Sequence, residues 1–365
     1  MITKKLPKIL ISILNKITEH KGTPFLVGGM VRDHFLKIDS KDYDIEVYGL
    51  NRLEELSLIL KEFGDINIVG VSFGILKLKT DGIEIDFSFP RIENKDGIGH
   101  NGFEVKVDGN LSYKEASRRR DFTINSIGYN FKDNCFLDPF NGLDDLNNRV
   151  LKHIDDKTFI EDPLRLYRAV QFCARFNFKL DNCTKSLCKS MIHLSDFNSL
   201  SKERIFEEYR KLLLKSKKPS IGLELLNEFK LIQLDIKTLQ SIDTISKYKR
   251  NDEKYNLVLM FYFISEILEN ISDDKRLKKD ILLLKEFNIP KIYLPKVKNI
   301  ISNEELISVK FDMLKNMPLP LVQGRDLIKL GHKPNKEFKI ILDSLYKLQL
   351  DGKIASKKEA IEFIE

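Results

Sequence analysis

The first third of the chain mixes alternating and helical patterns of apolar residues. An apolar run ends at the glycine pair 28–29, and the spacing over residues 30–36 predicts a helix. Alternation over residues 44–48 predicts a half-buried strand. Residues 74–80 and 83–89 also alternate, and the Asp-Gly pair between them suits a tight turn. These last two segments therefore predict a β-hairpin.

The pattern changes along the rest of the chain. Residues 124–131 predict one further strand, whereas residues 94–102 are rich in Gly, Asn and Lys and predict a mobile loop. From about Asp155 onward, apolar residues recur at three- and four-residue spacing and strand alternation disappears. We therefore predict an α+β fold, with a mixed sheet in the first part and an all-helical remainder.

Length and composition narrow the class of protein. A chain of 365 residues is too long for one compact core, so about two to four modules are expected. With 42% hydrophobic and 32% charged residues, the composition is typical of a soluble globular protein. The most apolar stretch, residues 257–264, is far shorter than the roughly 20 residues that cross a bilayer. The first residues do not resemble a signal peptide, so we expect a cytosolic protein with no membrane partner.

Charge and cysteine content add little by themselves. The net charge of +7 favours a polyanionic partner without identifying one. The four cysteines include no C-x-x-C pair, and no histidine cluster lies near them in sequence. This spacing indicates reduced thiols rather than a zinc or redox site.

Acidic residues at the predicted strands indicate a metal site. Asp42 and Asp44 are two positions apart, so an extended chain directs both carboxylates to one side. Asp86 lies on the matching side of the second hairpin strand and shares its face with Glu84, so either could supply a third carboxylate. Oxygen ligands from two strands suit Mg²⁺, which serves phosphate chemistry. The competing interpretation is a turn cap at Asp42 and a solvated strand face at Asp44.

Two further segments suit phosphate groups. Gly28 and Gly29 allow close approach to the backbone before a predicted helix start, and Arg32 adds a fixed cation. An ordinary strand-to-helix turn is the competing interpretation. Three consecutive arginines at 118–120 repel one another, so an anionic partner or carboxylates must compensate them.

Asp162 and Arg165 suggest how a base is read. Asp162 precedes a proline that suits a first helical position, so a simple N-cap role is a serious alternative. The two residues are nevertheless three apart and share a helix face. A carboxylate beside a guanidinium matches the amino donor and ring-nitrogen acceptor of cytosine and adenine, and mismatches uracil and guanine. Such a pair would select C and A without a template.

Taken together, the chain resembles the class II tRNA nucleotidyltransferase (CCA-adding enzyme) and bacterial poly(A) polymerase family. The motifs that carry the resemblance occur in the family's order: LVGGMVRD at 26–33, DYD at 42–44, RRDFTIN at 119–125, DPFNGLDDL at 138–146, EDPLR at 161–165 with Arg168, and ERI at 203–205. Each motif is short, but together they span roughly residues 20–215.

The resemblance implies an architecture. The head would be a polymerase-β-type nucleotidyltransferase domain with a mixed sheet, followed by an all-α neck, body and tail. The expected bounds are 1–145 for the catalytic head, 146–200 for the nucleotide-selecting neck, 201–315 for the helical body and 316–365 for the helical tail.

It also implies residue roles. Asp42 and Asp44 would bind Mg²⁺. The strand pattern, rather than the resemblance, adds Asp86 as the third catalytic carboxylate, with Glu84 as its alternative. Nucleotide binding would fall to a larger set: Gly28, Gly29, Arg32, Arg119, Arg120, Asp121, Asn125, Asp162, Arg165 and Arg168. The loop at residues 94–102 would be a moving part during successive additions.

The implied function is template-independent addition of C and A to the 3′ end of tRNA, from CTP and ATP with release of pyrophosphate. A poly(A) polymerase on the same scaffold is the nearest alternative, although the last residues of the chain are not basic. Relatives that add only CC or only the final A, and a catalytically dead RNA-binding relative, are further alternatives.

Overall fold

The alternating segments of the first third form a mixed sheet. The computed structural model describes residues 2–40, 42–50, 52–69, 75–95, 103–194, 197 and 199–364. Its strands are β1 (Thr23–Leu26), β2 (Tyr43–Tyr48), β3 (Asp65–Val69), β4 (Ile75–Thr80), β5 (Ile83–Ser88), β6 (Arg91–Lys95), β7 (Phe103–Val107), β8 (Gly128–Asn130), β9 (Cys135–Leu137), β10 (Val150–Leu151) and β11 (Lys179–Leu180). In the described part of the chain, the main sheet has the order β3-β4-β5-β2-β1-β8-β9, and β6–β7 and β10–β11 form two separate pairs.

Strand β2 lies at the centre of the main sheet. It pairs antiparallel with β1 and parallel with β5. The parallel register places Asp44 beside Asp86. On the opposite side of β2, Ile45 and Val47 are completely buried in the core. The alternation of the sequence therefore directs the carboxylates of β2 away from the apolar core.

The hairpin predicted from the Asp-Gly pair is confirmed. Strands β4 and β5 pair antiparallel from Leu76 opposite Phe87 to Thr80 opposite Ile83. The turn residues Asp81 and Gly82 have φ values of 46° and 73°. Two successive positive φ values are the signature of the type I′ turn, whose twist matches that of the strands.

Two local predictions need correction or lie partly outside the described residues. The strand predicted for residues 124–131 is shorter, because residues 123–125 form a 3₁₀ turn and only Gly128–Asn130 pair as β8. The turn is closed by the Asn125 amide, which donates to the Phe122 carbonyl. In the predicted loop at 94–102, residues 94 and 95 belong to strand β6, and residues 96–102 lie outside the described part of the chain.

Helices cover the sheet and extend the first compact unit, residues 1–233. They are α1 (Lys8–Glu19), α2 (Gly29–Phe35), α3 (Leu53–Leu60), α4 (Tyr113–Ser117), α5 (Gly142–Asn148), α6 (Asp156–Glu161), α7 (Leu164–Phe176), α8 (Asn182–Met191), α9 (Lys202–Lys215) and α10 (Ser220–Glu228). Helix α7 packs against α9 and α10. Ser201 caps α9 by accepting a hydrogen bond from the Arg204 amide, which fixes where that helix begins.

The second compact unit, residues 234–365, is helical throughout its described part. Its helices are α11 (Ile236–Ile245), α12 (Glu253–Phe261), α13 (Ser265–Ile271), α14 (Lys275–Glu286), α15 (Leu294–Val297), α16 (Asn303–Lys315), α17 (Gly324–Lys329), α18 (Lys336–Leu350) and α19 (Lys357–Glu362). The predicted α+β class, with a mixed-sheet head and an all-helical remainder, is confirmed; β11 is a two-residue exception. No helix in the described ranges combines the length and apolar character needed to cross a membrane.

Candidate nucleotide-binding site

One polar cavity of about 570 Å³ lies within the first unit and gathers most of the predicted site residues. It is lined by Gly28, Gly29, Arg32, Asp42, Asp44, Arg91, Arg119, Arg120, Asp121, Asn125, Asp162, Leu164, Arg165, Arg168, Gln171, Phe172, Arg175, Arg204, Lys211 and Lys215. These residues come from the sheet, the segment after α4 and the helices α7 and α9. The cavity therefore brings Asp42 and Asp44 together with many cationic side chains.

The third predicted carboxylate lies in an adjoining cavity. Asp42 and Asp44 also line a second space of about 600 Å³, together with Asp86, Glu84 and Lys77. Lys77 Nζ lies 2.9 Å from a Glu84 oxygen and 3.2 Å from an Asp86 oxygen. Glu84 also faces Lys79 across the hairpin at 3.6 Å. The register with Asp44 therefore favours Asp86 over Glu84 as the third carboxylate.

The electrostatics of Asp44 suit a divalent cation. Burial raises the pKa of Asp44, and repulsion from Asp86 and Asp42 adds to the rise, although Arg120 opposes it. Within the described ranges, no group of three or more His, Cys, Asp or Glu side chains is arranged to hold a metal ion. Mg²⁺ commonly takes only one or two carboxylates and completes its shell with substrate phosphates and water. The oxygen donors of Asp42 and Asp44 fit that pattern.

The glycine turn brings backbone close to these carboxylates. Gly28 has a φ of 69°, and a Cβ at this position would lie 3.1 Å from Asp44 Oδ2. Helix α2 begins at the next residue. A side chain at position 28 would therefore be strained and would also crowd Asp44.

Arg32 is buried behind this turn. Its Nε donates to Asp33 at 2.8 Å, and its Nη1 donates to Asn125 Oδ1 at 2.7 Å. Its guanidinium also lies over the rings of Phe172 and Phe176. Burial lowers the pKa of Arg32 despite the Asp33 charge. Arg32 thus links the glycine turn to the segment that contains Asn125.

Carboxylates compensate the three consecutive arginines. Arg118 Nε lies 3.2 Å from Asp155, on the surface. Arg119 Nη2 donates to Glu46 Oε1 at 2.7 Å, and Arg120 Nη2 lies 3.6 Å from the same oxygen. Arg119 and Arg120 are therefore compensated by a buried carboxylate, and their side chains are only 17% and 15% exposed.

Asp121 is the centre of a second buried network. It accepts hydrogen bonds from the Phe122 amide and from Asn125 Nδ2, both at 2.8 Å. Arg168 approaches its other oxygen at 2.6 Å. Burial opposes ionisation of Asp121, but Arg168 and the Asn125 hydrogen bond lower its pKa below the ordinary value. Asp121 therefore joins the segment after α4 to helix α7.

Asp162 and Arg165 line the same cavity, but each has another partner. Asp162 Oδ1 accepts from the Leu164 amide at 3.1 Å, although Pro163 and not Asp162 occupies the N-cap position of α7. Its carboxylate also accepts from Arg204 Nη2 at 3.3 and 3.4 Å. The guanidinium of Arg165 donates to the carbonyls of Thr158 and Arg119, both at 2.6 Å. The structure therefore pairs Asp162 with Arg204 and anchors Arg165 on backbone.

Two regions of the chain match known protein families. Residues 24–152 match the family model of the poly A polymerase head domain. Residues 177–240 match a model described as the probable RNA and SrmB-binding site of polymerase A. These two regions make the chain similar to the class II CCA-adding enzyme and poly(A) polymerase family.

Two relatives show how far the sequence similarity extends. The CCA-adding enzyme of Francisella tularensis subsp. novicida is 37% identical over 211 residues, which are 57% of this chain and 54% of that protein. The multifunctional CCA protein of Aliivibrio salmonicida is 36% identical over 208 residues, which are 56% and 48% of the two chains. The alignment thus spans about half the length of these relatives.

Solved structures show that the likeness of fold covers more of the chain. The Bacillus stearothermophilus CCA-adding enzyme in complex with CTP has a TM-score of 0.73 at 20% identity, covering 97% of this chain and 96% of that one. The Thermotoga maritima CCA-adding enzyme complexed with tRNA has a TM-score of 0.69 at 21% identity, covering 100% and 96%. At these identities the comparison concerns the fold alone.

Several residues that line the cavity were not predicted from the sequence. Arg204 was noted only as part of a motif, yet it contacts Asp162. Arg175 and Lys215 also line the cavity, and they lie in the last turns of α7 and α9, where lysine and arginine are common. Lys211, which also lines it, lies one turn earlier in α9. Glu46 was read only as part of an alternating strand. Basic residues at a helix end carry no signal that separates a ligand site from ordinary helix stabilisation.

A basic cavity of about 800 Å³ adjoins the site. Arg175 and Lys215 line both cavities, and Lys217 and Lys218 line the second one. Burial lowers the pKa of Lys215, and repulsion from Arg175 adds to this effect while Asp42 opposes it. The cation-rich wall of the site thus continues beyond the carboxylates.

The Asp121 network predicts a pH-dependent contribution to stability. Because the folded-state pKa of Asp121 is lowered, its contribution is present above the unfolded value of about 3.9 and is lost as pH falls through the folded value. Asp121→Asn should lower the free energy of unfolding by about 1–3 kcal/mol near pH 7. The difference from wild type should shrink below about pH 4. Urea denaturation between pH 3 and 7 measures both.

A surface pair supplies the control. Glu62 pairs with Lys16 at 2.9 Å, and its side chain is 57% exposed. Glu62→Gln makes the same chemical change and should cost less than about 1 kcal/mol. An Asp121→Asn effect as small as this, or one that does not change with pH, would contradict the assigned role of the buried carboxylate.

Proposed function

We propose that this chain is a template-independent tRNA nucleotidyltransferase that adds C and A to the 3′ end of tRNA, from CTP and ATP. The observation that carries the proposal is the single cavity that Asp42 and Asp44 line together with Asp162, Arg165 and several other arginines. It unites acidic groups for phosphoryl transfer with groups that distinguish base edges. We also propose the division into head (1–145), neck (146–200), body (201–315) and tail (316–365).

In the proposed reaction, the RNA 3′-hydroxyl attacks the α-phosphorus of the nucleotide. A bond forms between the 3′-oxygen and that phosphorus, the bond to the bridging oxygen breaks, and pyrophosphate leaves. We assign the hydroxyl proton to Asp86, which lies beside Asp44 in the sheet register. Gly28, Gly29 and Arg120 would bind the triphosphate. The Arg120 guanidinium lies beside the glycine turn, since a Cβ built at Gly28 would be 3.8 Å from Arg120 Nη1, and a guanidinium suits phosphate oxygens.

We propose Mg²⁺ as the cofactor, held by Asp42 and Asp44. When bound, Mg²⁺ would supply positive charge that stabilises the phosphate oxygens of the transition state. Binding would also relieve the repulsion that raises the pKa of Asp44.

Base selection in this proposal depends on hydrogen-bond polarity. The carboxylate of Asp162 only accepts and the guanidinium of Arg165 only donates, as the edges of cytosine and adenine require. Two backbone carbonyls accept hydrogen bonds from Arg165, and Asp162 accepts hydrogen bonds from Arg204 and from the Leu164 amide. Both groups are therefore held in place before a nucleotide arrives, which favours selectivity.

RNA would contact the basic cavity beside the site. Arg175, Lys215, Lys217 and Lys218 line it, and it overlaps the matched RNA-binding region at residues 177–240. Contacts of this kind release counterions, so tRNA affinity should fall as salt rises.

Poly(A) synthesis is the second candidate function, because the matched head family is named for poly A polymerase. CC-only and A-only addition share the same site chemistry. The deciding experiment supplies the purified chain with tRNA transcripts that end before, within and after CCA, one nucleotide at a time. Full CCA addition is the expected result, and long A tracts on every transcript would favour poly(A) synthesis instead. Binding without any incorporation would favour a catalytically dead relative.

Removing one metal carboxylate should separate chemistry from RNA binding. Asp42→Ala should lower incorporation by about 100-fold or more, because charge developing in the transition state loses its counterpart. Single-turnover incorporation and tRNA binding by filter retention measure the two effects. Asp81→Ala in the hairpin turn is the control for loss of an exposed aspartate. If Asp42→Ala abolished tRNA binding as well, Asp42 would have a structural role.

Alanine substitutions at two glycines with similar backbone conformations test whether the turn at Gly28 binds the triphosphate. Gly28 and Gly82 have φ values of 69° and 73°, but a Cβ at Gly28 meets Asp44, whereas one at Gly82 meets open space. Alanine at either position should cost about 1–3 kcal/mol of stability. Only Gly28→Ala should also raise KM for CTP and ATP, which steady-state kinetics measure. An equal effect on KM from both variants would contradict the proposed triphosphate site.

Substitution of Arg165 tests its proposed role in base recognition. Arg165→Ala should slow CTP and ATP incorporation and reduce discrimination against UTP and GTP by at least about tenfold. Arg118 is the matched control, because it pairs with Asp155 on the surface and is not among the residues that line the cavity. Incorporation of the four nucleotides, measured separately, gives the ratio. Unchanged CTP rates with unchanged rejection of UTP and GTP would remove Arg165 from this role.

A further inference from the structure

A buried carboxylate lies directly behind the catalytic strand residues. Glu46 follows Asp44 by two positions on strand β2, and its side chain is completely buried. Its Oε1 accepts from Arg119 Nη2 at 2.7 Å and lies 3.6 Å from Arg120 Nη2. Its Oε2 accepts from the buried Tyr48 hydroxyl at 2.9 Å. Each carboxylate oxygen therefore has a partner.

The charges in this cluster depend on one another. A carboxylate buried this completely needs an opposite charge beside it, and Arg119 and Arg120 supply that charge at 2.7 and 3.6 Å. Burial alone would lower the pKa of Arg120, and the Glu46 carboxylate raises it above the ordinary value. The Glu46 carboxylate and the two guanidinium groups therefore stabilise one another, and removal of either charge would leave the other buried without this partner.

The two arginines reach different parts of the cavity. Arg120 lies beside Gly28, where the triphosphate is proposed to bind. The backbone carbonyl of Arg119 accepts from Arg165 Nη2 at 2.6 Å. The sequence separation between Glu46 and these arginines is 73 residues or more, so the contact joins the strand to a distant segment. A shift of that segment would displace both the triphosphate contact and the base-reading arginine.

We propose that Glu46 is a positioning residue, which holds Arg119 and Arg120 where they bind the nucleotide and support Arg165. The inference rests on the proposed function, since it takes the arginines as nucleotide contacts. It goes beyond that function by assigning a role to a residue that meets no substrate. A purely structural Glu46 would stabilise the sheet and leave nucleotide binding unchanged.

The test compares kinetic constants of the full chain and its variants. Glu46→Gln keeps the shape but removes the charge. It should raise KM for CTP and ATP equally, by about tenfold or more, the size typical of losing a group that orients a ligand-binding side chain. The turnover number should change far less. Glu46→Asp, which restores the charge, should recover part of the loss.

A second arm separates positioning from stability. Leu14→Ala removes a completely buried side chain from α1 and should lower the melting temperature without raising KM. In an Arg119→Ala/Arg120→Ala background, Glu46→Gln should raise KM less than about twofold, because the side chains that it positions are absent. A full tenfold effect in that background, or an unchanged KM in Glu46→Gln alone, would overturn the proposal.

Measurements on the wild-type protein distinguish failure of the proposed function from failure of the proposed role of Glu46. If wild type incorporates neither CTP nor ATP, the proposed function fails. The guanidinium NMR signals of Arg119 and Arg120 then decide the role of Glu46 without any activity. Slow guanidinium rotation in wild type that becomes fast in Glu46→Gln supports positioning, and identical signals in both proteins overturn it.

Discussion

The site depends on charges that are removed from water and neutralised by partners distant in sequence. Such a charge is tolerated only beside an opposite one, because desolvation alone would otherwise displace or neutralise it. In this chain the segment from Arg119 to Asp121 contains buried charges of both signs, and each has a partner of opposite charge. Arg119 pairs with Glu46 in the central strand, and Asp121 pairs with Arg168 on helix α7. The segment thus fixes the strand and the helix relative to each other within the first unit.

This constraint explains why the cavity combines opposite charges. Asp42 and Asp44 lie at the sheet, and most of the cations come from the segment after α4 and from the helices α7 and α9. Asp44 feels repulsion from Asp42 and Asp86, and Lys215 feels repulsion from Arg175. A nucleotide triphosphate with a divalent cation carries both charges needed to relieve these repulsions. The arrangement therefore favours such a ligand over a simple anion or a metal ion alone.

Local rules were sufficient for much of the fold. The Asp81-Gly82 turn fixed the hairpin, and the spacing of Asp42 and Asp44 placed both at one cavity. Pairing between distant segments was beyond such rules. Alternation marks Glu46 as a strand residue but does not name the arginines that make its burial possible. The 3₁₀ turn at residues 123–125 was missed for the same reason, because Asn125 is held by Asp121 and Arg32.

The partners of Asp162 and Arg165 refine the idea of an amino-acid edge that imitates a base. Such an edge distinguishes bases because its carboxylate can only accept hydrogen bonds and its guanidinium can only donate them. Both side chains must therefore keep a fixed orientation. Arg165 uses one N–H of each terminal nitrogen on a carbonyl and keeps further donors for a ligand. Arg204 holds the Asp162 carboxylate from the side of helix α9. Selectivity for C and A would therefore depend on α9 as well as α7, since release of Arg204 would free the carboxylate to rotate.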